Sequence, residues 1–235
     1  MTPPDPTAVP VVLVHGWGGS FEATWQRSGF TELLRDEGRT VVGVDLLGHG
    51  TAPKPHDPAE YADLGRRVLD AIDGATPDGQ VDAIGFSLGA MTLLRLATVH
   101  PHRFRHLVLA GIGKNVLEPD DGSGERIAAA VEGRAADDDT PALVFAQYAN
   151  QPGNDPAALA AVMRRPRTPL TAAELAAVTC PVTVVIGDAD FAGPADPLVA
   201  ALPRATLKVL RRTDHFATPE SFGFVDAALR ALDGD

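Results

Sequence analysis

The chain has 235 residues, enough for one large α/β domain, or a domain with a modest insertion, with a full core. Hydrophobic residues at 45% and charged residues at 22% are ordinary for a soluble globular protein, and a net charge of −11 argues against a nucleic-acid partner. The single cysteine, Cys180, excludes an intramolecular disulfide and a thiolate metal cluster.

The opening Met-Thr-Pro-Pro-Asp-Pro-Thr has neither the basic start nor the apolar core of a signal peptide. No apolar stretch approaches the ~20 residues of a membrane span, so a cytoplasmic protein with no membrane association is expected. Runs rich in Val, Ile and Leu at 9–14, 40–44, 81–84, 106–110, 181–186 and 205–210 read as strands. Their near-continuous apolar character suits a parallel sheet covered on both faces. Helical candidates lie at 22–37, 58–73, 88–99, 196–202 and 219–232. Six strands with helical crossovers predict a doubly wound α/β fold, in which ligands bind beyond the carboxyl ends of the strands.

Between 113 and 179 the rhythm breaks. Ala-rich helical windows at 124–136, 141–149, 155–164 and 171–178 are separated by acidic loops and prolines, with no convincing strand. The segment is too small for a core of its own and is expected to lie over the sheet as a lid. The organisation predicted is therefore a core of residues 1–112 and 180–235, interrupted by a helical cap at 113–179. Within the cap, Arg164, Arg165 and Arg167 form the one compact basic group, read as a solvated loop.

Five motifs fall at predicted strand ends. Gly85-Phe86-Ser87-Leu88-Gly89 follows the third strand and opens a helix, the setting in which a G-x-S-x-G serine is a nucleophile. The turn is too tight for side chains on both flanks, which accounts for the glycines at 85 and 89. After the first strand, His15-Gly16-Trp17-Gly18-Gly19-Ser20 is a glycine-rich loop that lets the Trp17 N–H reach a developing oxyanion beside the N–H of Leu88. Asp45-Leu46-Leu47-Gly48-His49-Gly50 follows the second strand. Gly187-Asp188-Ala189-Asp190 follows the fifth strand, and Thr213-Asp214-His215-Phe216 the sixth. A serine hydroxyl needs a base to take its proton, and the base needs an orienting carboxylate; imidazole, titrating near pH ~6.5, can be that base.

The order nucleophile, acid, histidine, together with HGWGGS, DLLGHG, GFSLGA, GDAD and DHF, resembles the α/β-hydrolase superfamily over nearly the whole chain. The resemblance implies Ser87 as nucleophile, His215 as base, Asp190 as acid, and Trp17 and Leu88 as the oxyanion hole. The helical insertion matches the family's cap in position. In the family the acid stands three residues after the glycine, which favours Asp190; Asp188 is the competitor, with a solvated turn as its alternative role. The family often carries a hairpin before the first of these strands, but too few residues precede Val9 for two strands, so the sheet is expected to start late.

Asp196 reads as a helix N-cap with Pro197 at the first helical position. His15 and His49 are expected to hydrogen-bond their loops rather than take part in chemistry. His100, His102 and His106 cluster before the fourth strand, but no carboxylate or cysteine completes a site there, so neither metal nor cofactor is expected. Trp17 and Phe86 are candidates to line an acyl pocket, whereas Trp25 and Phe30 are assigned to the core.

Relatives of this fold that open epoxides or remove halide attack with aspartate, so Ser87 points instead to acyl transfer to water. The expected activity is hydrolysis of a carboxylic ester, thioester or lactone of a small to medium, mostly apolar small molecule. C–C bond hydrolysis and a menaquinone-pathway-type elimination are the alternatives within the fold, inward-pointing Arg126, Arg164 or Arg165 favouring the latter. A non-catalytic ligand-binding receptor is the alternative outside catalysis.

Overall fold

The computed structural model describes residues 9–119, 121–136 and 138–234. The opening heptapeptide, read above as lacking a signal peptide, lies outside the described residues. Six strands form one sheet: β1 (Val11–Val14), β2 (Val41–Val44), β3 (Val81–Phe86), β4 (Phe104–Ala110), β5 (Val182–Gly187) and β6 (Ala205–Leu210). Their order is β2-β1-β3-β4-β5-β6 and every neighbouring pair is parallel. This is the doubly wound α/β architecture expected from the sequence, and among the described residues no strand precedes β1.

The alternation of side chains along each strand divides the core in two. Val12 and Val14 face one cluster with Leu93, Leu94 and Leu107; Val11 and Leu13 face another with Trp25, Phe30 and Phe224. The first face is covered by α2 (Gly65–Ala75), α3 (Leu88–Val99) and α8 (Asp196–Ala201), the second by α1 (Phe30–Asp36) and α9 (Phe222–Asp233). β1 and β3 are buried throughout, as a two-sided apolar run requires, while the edge strands β2 and β6 are partly exposed.

Several helix boundaries differ from the sequence reading, each for a local reason. The helix predicted at 22–37 is two pieces, a π-helical turn at Glu22–Gln26 and α1, separated where Gly29 adopts φ 77°. The helix predicted at 58–73 splits into a short 3-10 turn, Pro58–Tyr61, capped by Asp57, and α2, at whose start the Asp63 carboxylate accepts the Arg66 N–H at 3.1 Å. Asp196 is the first residue of α8 rather than its N-cap; Ala195 holds that position and makes no side-chain cap. The carboxylate then sits in the first turn, where the helix dipole favours negative charge. The last helix starts at Phe222 rather than 219, because the Ser221 hydroxyl accepts the Phe224 N–H and sets the start there.

Between β4 and β5 the described residues form four helices and no strand: α4 (Ser123–Val131), α5 (Thr140–Ala149), α6 (Pro156–Arg164) and α7 (Ala172–Leu175). Asp139 caps α5 and Asp155 caps α6, each followed within two residues by proline, and Thr171 with Glu174 closes a capping box on α7. α4 packs on both α5 and α6. The chain leaves β1 outward to β2 and returns to β3 on the other side, so the loops after β1 and β3 diverge and leave a crevice between them.

Candidate active site

Ser87 stands at the end of β3 as the N-cap of α3, with φ 51° and ψ −113°. A non-glycine residue there stores strain of about 1–3 kcal/mol, held by the Ser87 N–H to Ala110 carbonyl bond (2.8 Å) and by the first turn of α3. The flanking glycines are required by contact. A Cβ on Gly85 would meet the backbone N of Ala90 at 2.7 Å, and one on Gly89 the carbonyl oxygen of Val14 at 2.4 Å. The hydroxyl is thereby presented at the crevice.

His215, on the loop after β6, lies with Nε2 2.9 Å from Ser87 Oγ. Its Nδ1 is 2.9 Å from both carboxylate oxygens of Asp190, on the loop after β5. Asp190 Oδ1 also accepts the Ala192 N–H at 2.8 Å, and its side chain is fully buried. The Nδ1–H therefore donates to Asp190, and Nε2 is left with its lone pair toward the serine. Asp188 points away: it is exposed and accepts only a long 3.4 Å contact from the Thr213 N–H. Two aromatic rings clamp the imidazole, Phe191 at 4.3 Å and Phe86 at 4.9 Å between centroids.

The loop after β1 is fixed by buried histidines. His15 donates Nδ1–H to the Gly16 carbonyl at 2.7 Å and accepts the Leu46 N–H on Nε2 at 3.1 Å, joining the loops after β1 and β2. Burial pushes its imidazole below 6.5. His49 packs beside it at 5.0 Å, donates to the Leu47 carbonyl, and is pushed down to about 3 by burial and by His15. Burial alone would raise the Asp45 carboxyl, but hydrogen bonds from the Phe21 N–H and from Thr51 hold it low, and the loop after β2 is tied accordingly. Trp17 and Leu88 thus flank Ser87, Leu88 as the first residue of α3, where N–H groups have no acceptor within the helix.

A cavity of about 580 Å³ opens from Ser87 and His215 beneath the helices between β4 and β5. Its lining includes Trp17, Leu88, Met91, Phe145, Met163 and Phe191 near the serine. Trp17, a sequence candidate for an acyl pocket, is among the residues lining this cavity. Phe86 does not line the cavity; it supports the His215 ring from below, because β3 turns its side chain toward the second core cluster. Trp25 and Phe30 stack with Phe224 in that core, 5.6–5.9 Å apart.

The inserted helices reach the site directly. The Trp17 indole Nε1–H donates to the Leu159 carbonyl of α6 at 3.1 Å, and Asn154 donates to the Gly18 carbonyl at 2.9 Å. Phe145 of α5 packs on Trp17, Phe191 and Phe216.

A family model described as the alpha/beta hydrolase fold matches residues 9–153, which is more than half of the chain. The chain belongs to the α/β-hydrolase fold family. Among curated proteins it is similar to NocK of Nocardia uniformis subsp. tsuyamanensis, 37% identical over 112 residues, covering 43% of this chain and 32% of that protein. It is also similar to a pimeloyl-[acyl-carrier protein] methyl ester esterase of Neisseria meningitidis serogroup B / serotype 15 (strain H44/76), 38% identical over 103 residues, 42% of this chain and 34% of the other. The matched segment thus spans about a third of the length of these relatives. Among solved structures, a 2-hydroxy-6-oxo-6-phenylhexa-2,4-dienoate hydrolase from Rhodococcus sp. strain RHA1 superposes with a TM-score of 0.72 at 22% identity, covering 99% of this chain and 92% of that one. That likeness concerns the fold.

Two groups at the α/β-hydrolase crevice escaped the sequence reading. Phe191 immediately follows Asp190, and its position one residue beyond a candidate acid was the signal available. Met91 lies one helical turn beyond Ser87, a spacing that puts both on the same face of α3.

Proposed function

We propose that the protein is a serine hydrolase cleaving a carboxylic ester of a small to medium, mostly apolar substrate. The observation that carries this reading is the single line of contacts from Ser87 Oγ through His215 to the buried Asp190, each 2.9 Å. In this reading His215 takes the Ser87 proton as Oγ attacks the ester carbonyl. The N–H groups of Trp17 and Leu88 hold the oxyanion, and His215 returns the proton to the departing alcohol. His215 then activates water to release the acid from the acyl-enzyme. Asp190 keeps the imidazole in the tautomer with Nε2 free and stabilises the cation that forms. The esterase name of the meningococcal relative and the apolar lining near Ser87 support an ester substrate. Residues 113–179 act as a cap in this reading, supported by the contacts of Leu159, Asn154 and Phe145 with the loops around the serine.

A panel of p-nitrophenyl esters of graded acyl length, with a fluorophosphonate label, tests the reading. Labelling is expected at Ser87, and Ser87→Ala is expected to lower kcat by at least about a thousandfold. Undiminished ester hydrolysis by Ser87→Ala would end it.

A further inference from the structure

Among the described residues, five cationic side chains, Arg95, Lys114, Arg126, Arg165 and Arg167, line the cavity against two carboxylates, Glu118 and Asp121, in a chain whose net charge is −11. Several basic groups of the cap are engaged by carboxylates, among them Arg164 by Glu125 and Glu132, Arg126 by Asp139 at 2.9 Å, and Lys114 by Glu118 at 3.7 Å. Arg95 and Arg165 differ. Arg165 donates to the Val162 carbonyl at 2.7 Å and Arg95 to the Thr168 carbonyl; among the described residues neither forms an ion pair with a carboxylate. Burial, and then the neighbouring Arg95, push the Arg165 guanidinium down to about 10, and burial alone lowers Arg167. Like charges gathered against an apolar wall are stable only at a cost that a bound anion removes.

The helix supplies a ruler. Ser87, Met91 and Arg95 recur every fourth residue, on one face of α3, so Arg95 stands about 12 Å along the axis from the serine. Allowing for the reach of the guanidinium, an extended arm of roughly six to eight atoms bridges the two. The wall between them is apolar at Leu88, Met91 and Met163.

We infer that Arg165 and Arg95 form an anion subsite, and that the substrate is a linear ester whose far end carries a carboxylate or phosphate. The reacting carbonyl lies at Ser87, an alkyl arm runs past Met91, and the terminal anion takes hydrogen bonds from the guanidinium groups. This rests on the ester reading above and narrows it: the pocket is apolar along the arm and cationic at its end. Arg164, by contrast, belongs to the outer network of the cap.

The test uses Ser87→Ala protein and three probes in isothermal titration: monomethyl octanedioate, methyl 7-phosphonoheptanoate and the uncharged methyl octanoate. At least about tenfold tighter binding of an anionic probe than of methyl octanoate is expected. Whichever anionic probe binds more tightly identifies the terminal group. The preference should disappear in Arg165→Met, persist in Arg165→Lys, and shrink as salt is raised. Arg95→Gln, at an exposed position, provides a second variant if Arg165→Met folds poorly, and is expected to weaken the anionic probes alone. Equal binding of charged and uncharged probes, or equal weakening of both by Arg165→Met and Arg95→Gln, would overturn the subsite. Turnover of the same methyl esters by the unmodified protein separates the two readings. Hydrolysis through Ser87 without an anion preference removes the subsite and leaves the esterase reading standing. Anion-selective binding without hydrolysis does the reverse.

Discussion

At the scale of single residues, the imidazole of His215 is held by its surroundings as much as by its hydrogen bonds. Phe86 and Phe191 both pack against the ring, and Asp190 fixes Nδ1, which restricts its rotation. Asp190→Asn would present an amide that no longer fixes the tautomer, and kcat/KM toward a p-nitrophenyl ester is expected to fall about 10³–10⁴-fold. Asp188→Asn is expected to leave it within about twofold, since that side chain is exposed and away from His215. A larger loss from Asp188→Asn would reverse the assignment. Sequence alone left both aspartates open, two positions apart on one turn, because burial is decided by how the turn packs. The buried pair His15 and His49 makes a different prediction. Both stay neutral in the folded chain while the unfolded chain protonates near pH 6.5, so stability is complete above that pH and is lost as pH falls below it. For His49 alone the loss at pH 5 is about 2 kcal/mol. Urea midpoints at pH 7 and pH 5 measure it, and His49→Gln should flatten the difference; an unchanged difference would mean that other groups carry it.

At the scale of elements, α6 is where the inserted segment meets the loop after β1. Asp155 caps it through the Ala157 and Ala158 N–H groups and also meets His56 at 3.0 Å, and its last residue before the turn is Arg164. Asp155→Ala is expected to cost about 1 kcal/mol in urea unfolding and to raise amide exchange in the first turn of α6. Unchanged exchange in that turn would show the cap to be dispensable. The helix α3 was legible in its full extent, because a strained serine marks its start and an apolar run its length. The helices at 22–37 and 58–73 were not: Gly29 at positive φ interrupts the first and Asp63, bonded to the Arg66 N–H, restarts the second, and periodicity sees neither. The helices between β4 and β5 were legible as helices from their alanine content, but the partners that orient them are carbonyl oxygens and aromatic rings distant in sequence.

At the scale of the whole molecule, the two faces of the sheet have separate duties. The face under α2, α3 and α8 continues into the inserted helices and the cavity; the face under α1 and α9 is closed by Trp25, Phe30 and Phe224 and meets the site through Phe86, which packs on His215. Phe224→Ala is therefore expected to cost about 3–5 kcal/mol in urea unfolding, while kcat/KM per folded molecule changes little. A large drop in kcat/KM at full folding would show that the two faces are coupled. The doubly wound parallel sheet followed from apolar runs and helical crossovers, whereas the strand order and the cavity did not. The cavity is enclosed by residues from distant parts of the chain, from Trp17 after β1 to His215 after β6.

The indole hydrogen bond between Trp17 and the Leu159 carbonyl also equips the protein with an optical reporter. Only two tryptophans are present, and Trp25 is sealed in the opposite core cluster. Displacement of α6, or entry of a compound beside the serine, changes the surroundings of Trp17 alone. A shift in intrinsic fluorescence emission on mixing would thus track occupancy and displacement of α6 in unlabelled protein, on the millisecond scale of stopped flow, before any product is formed.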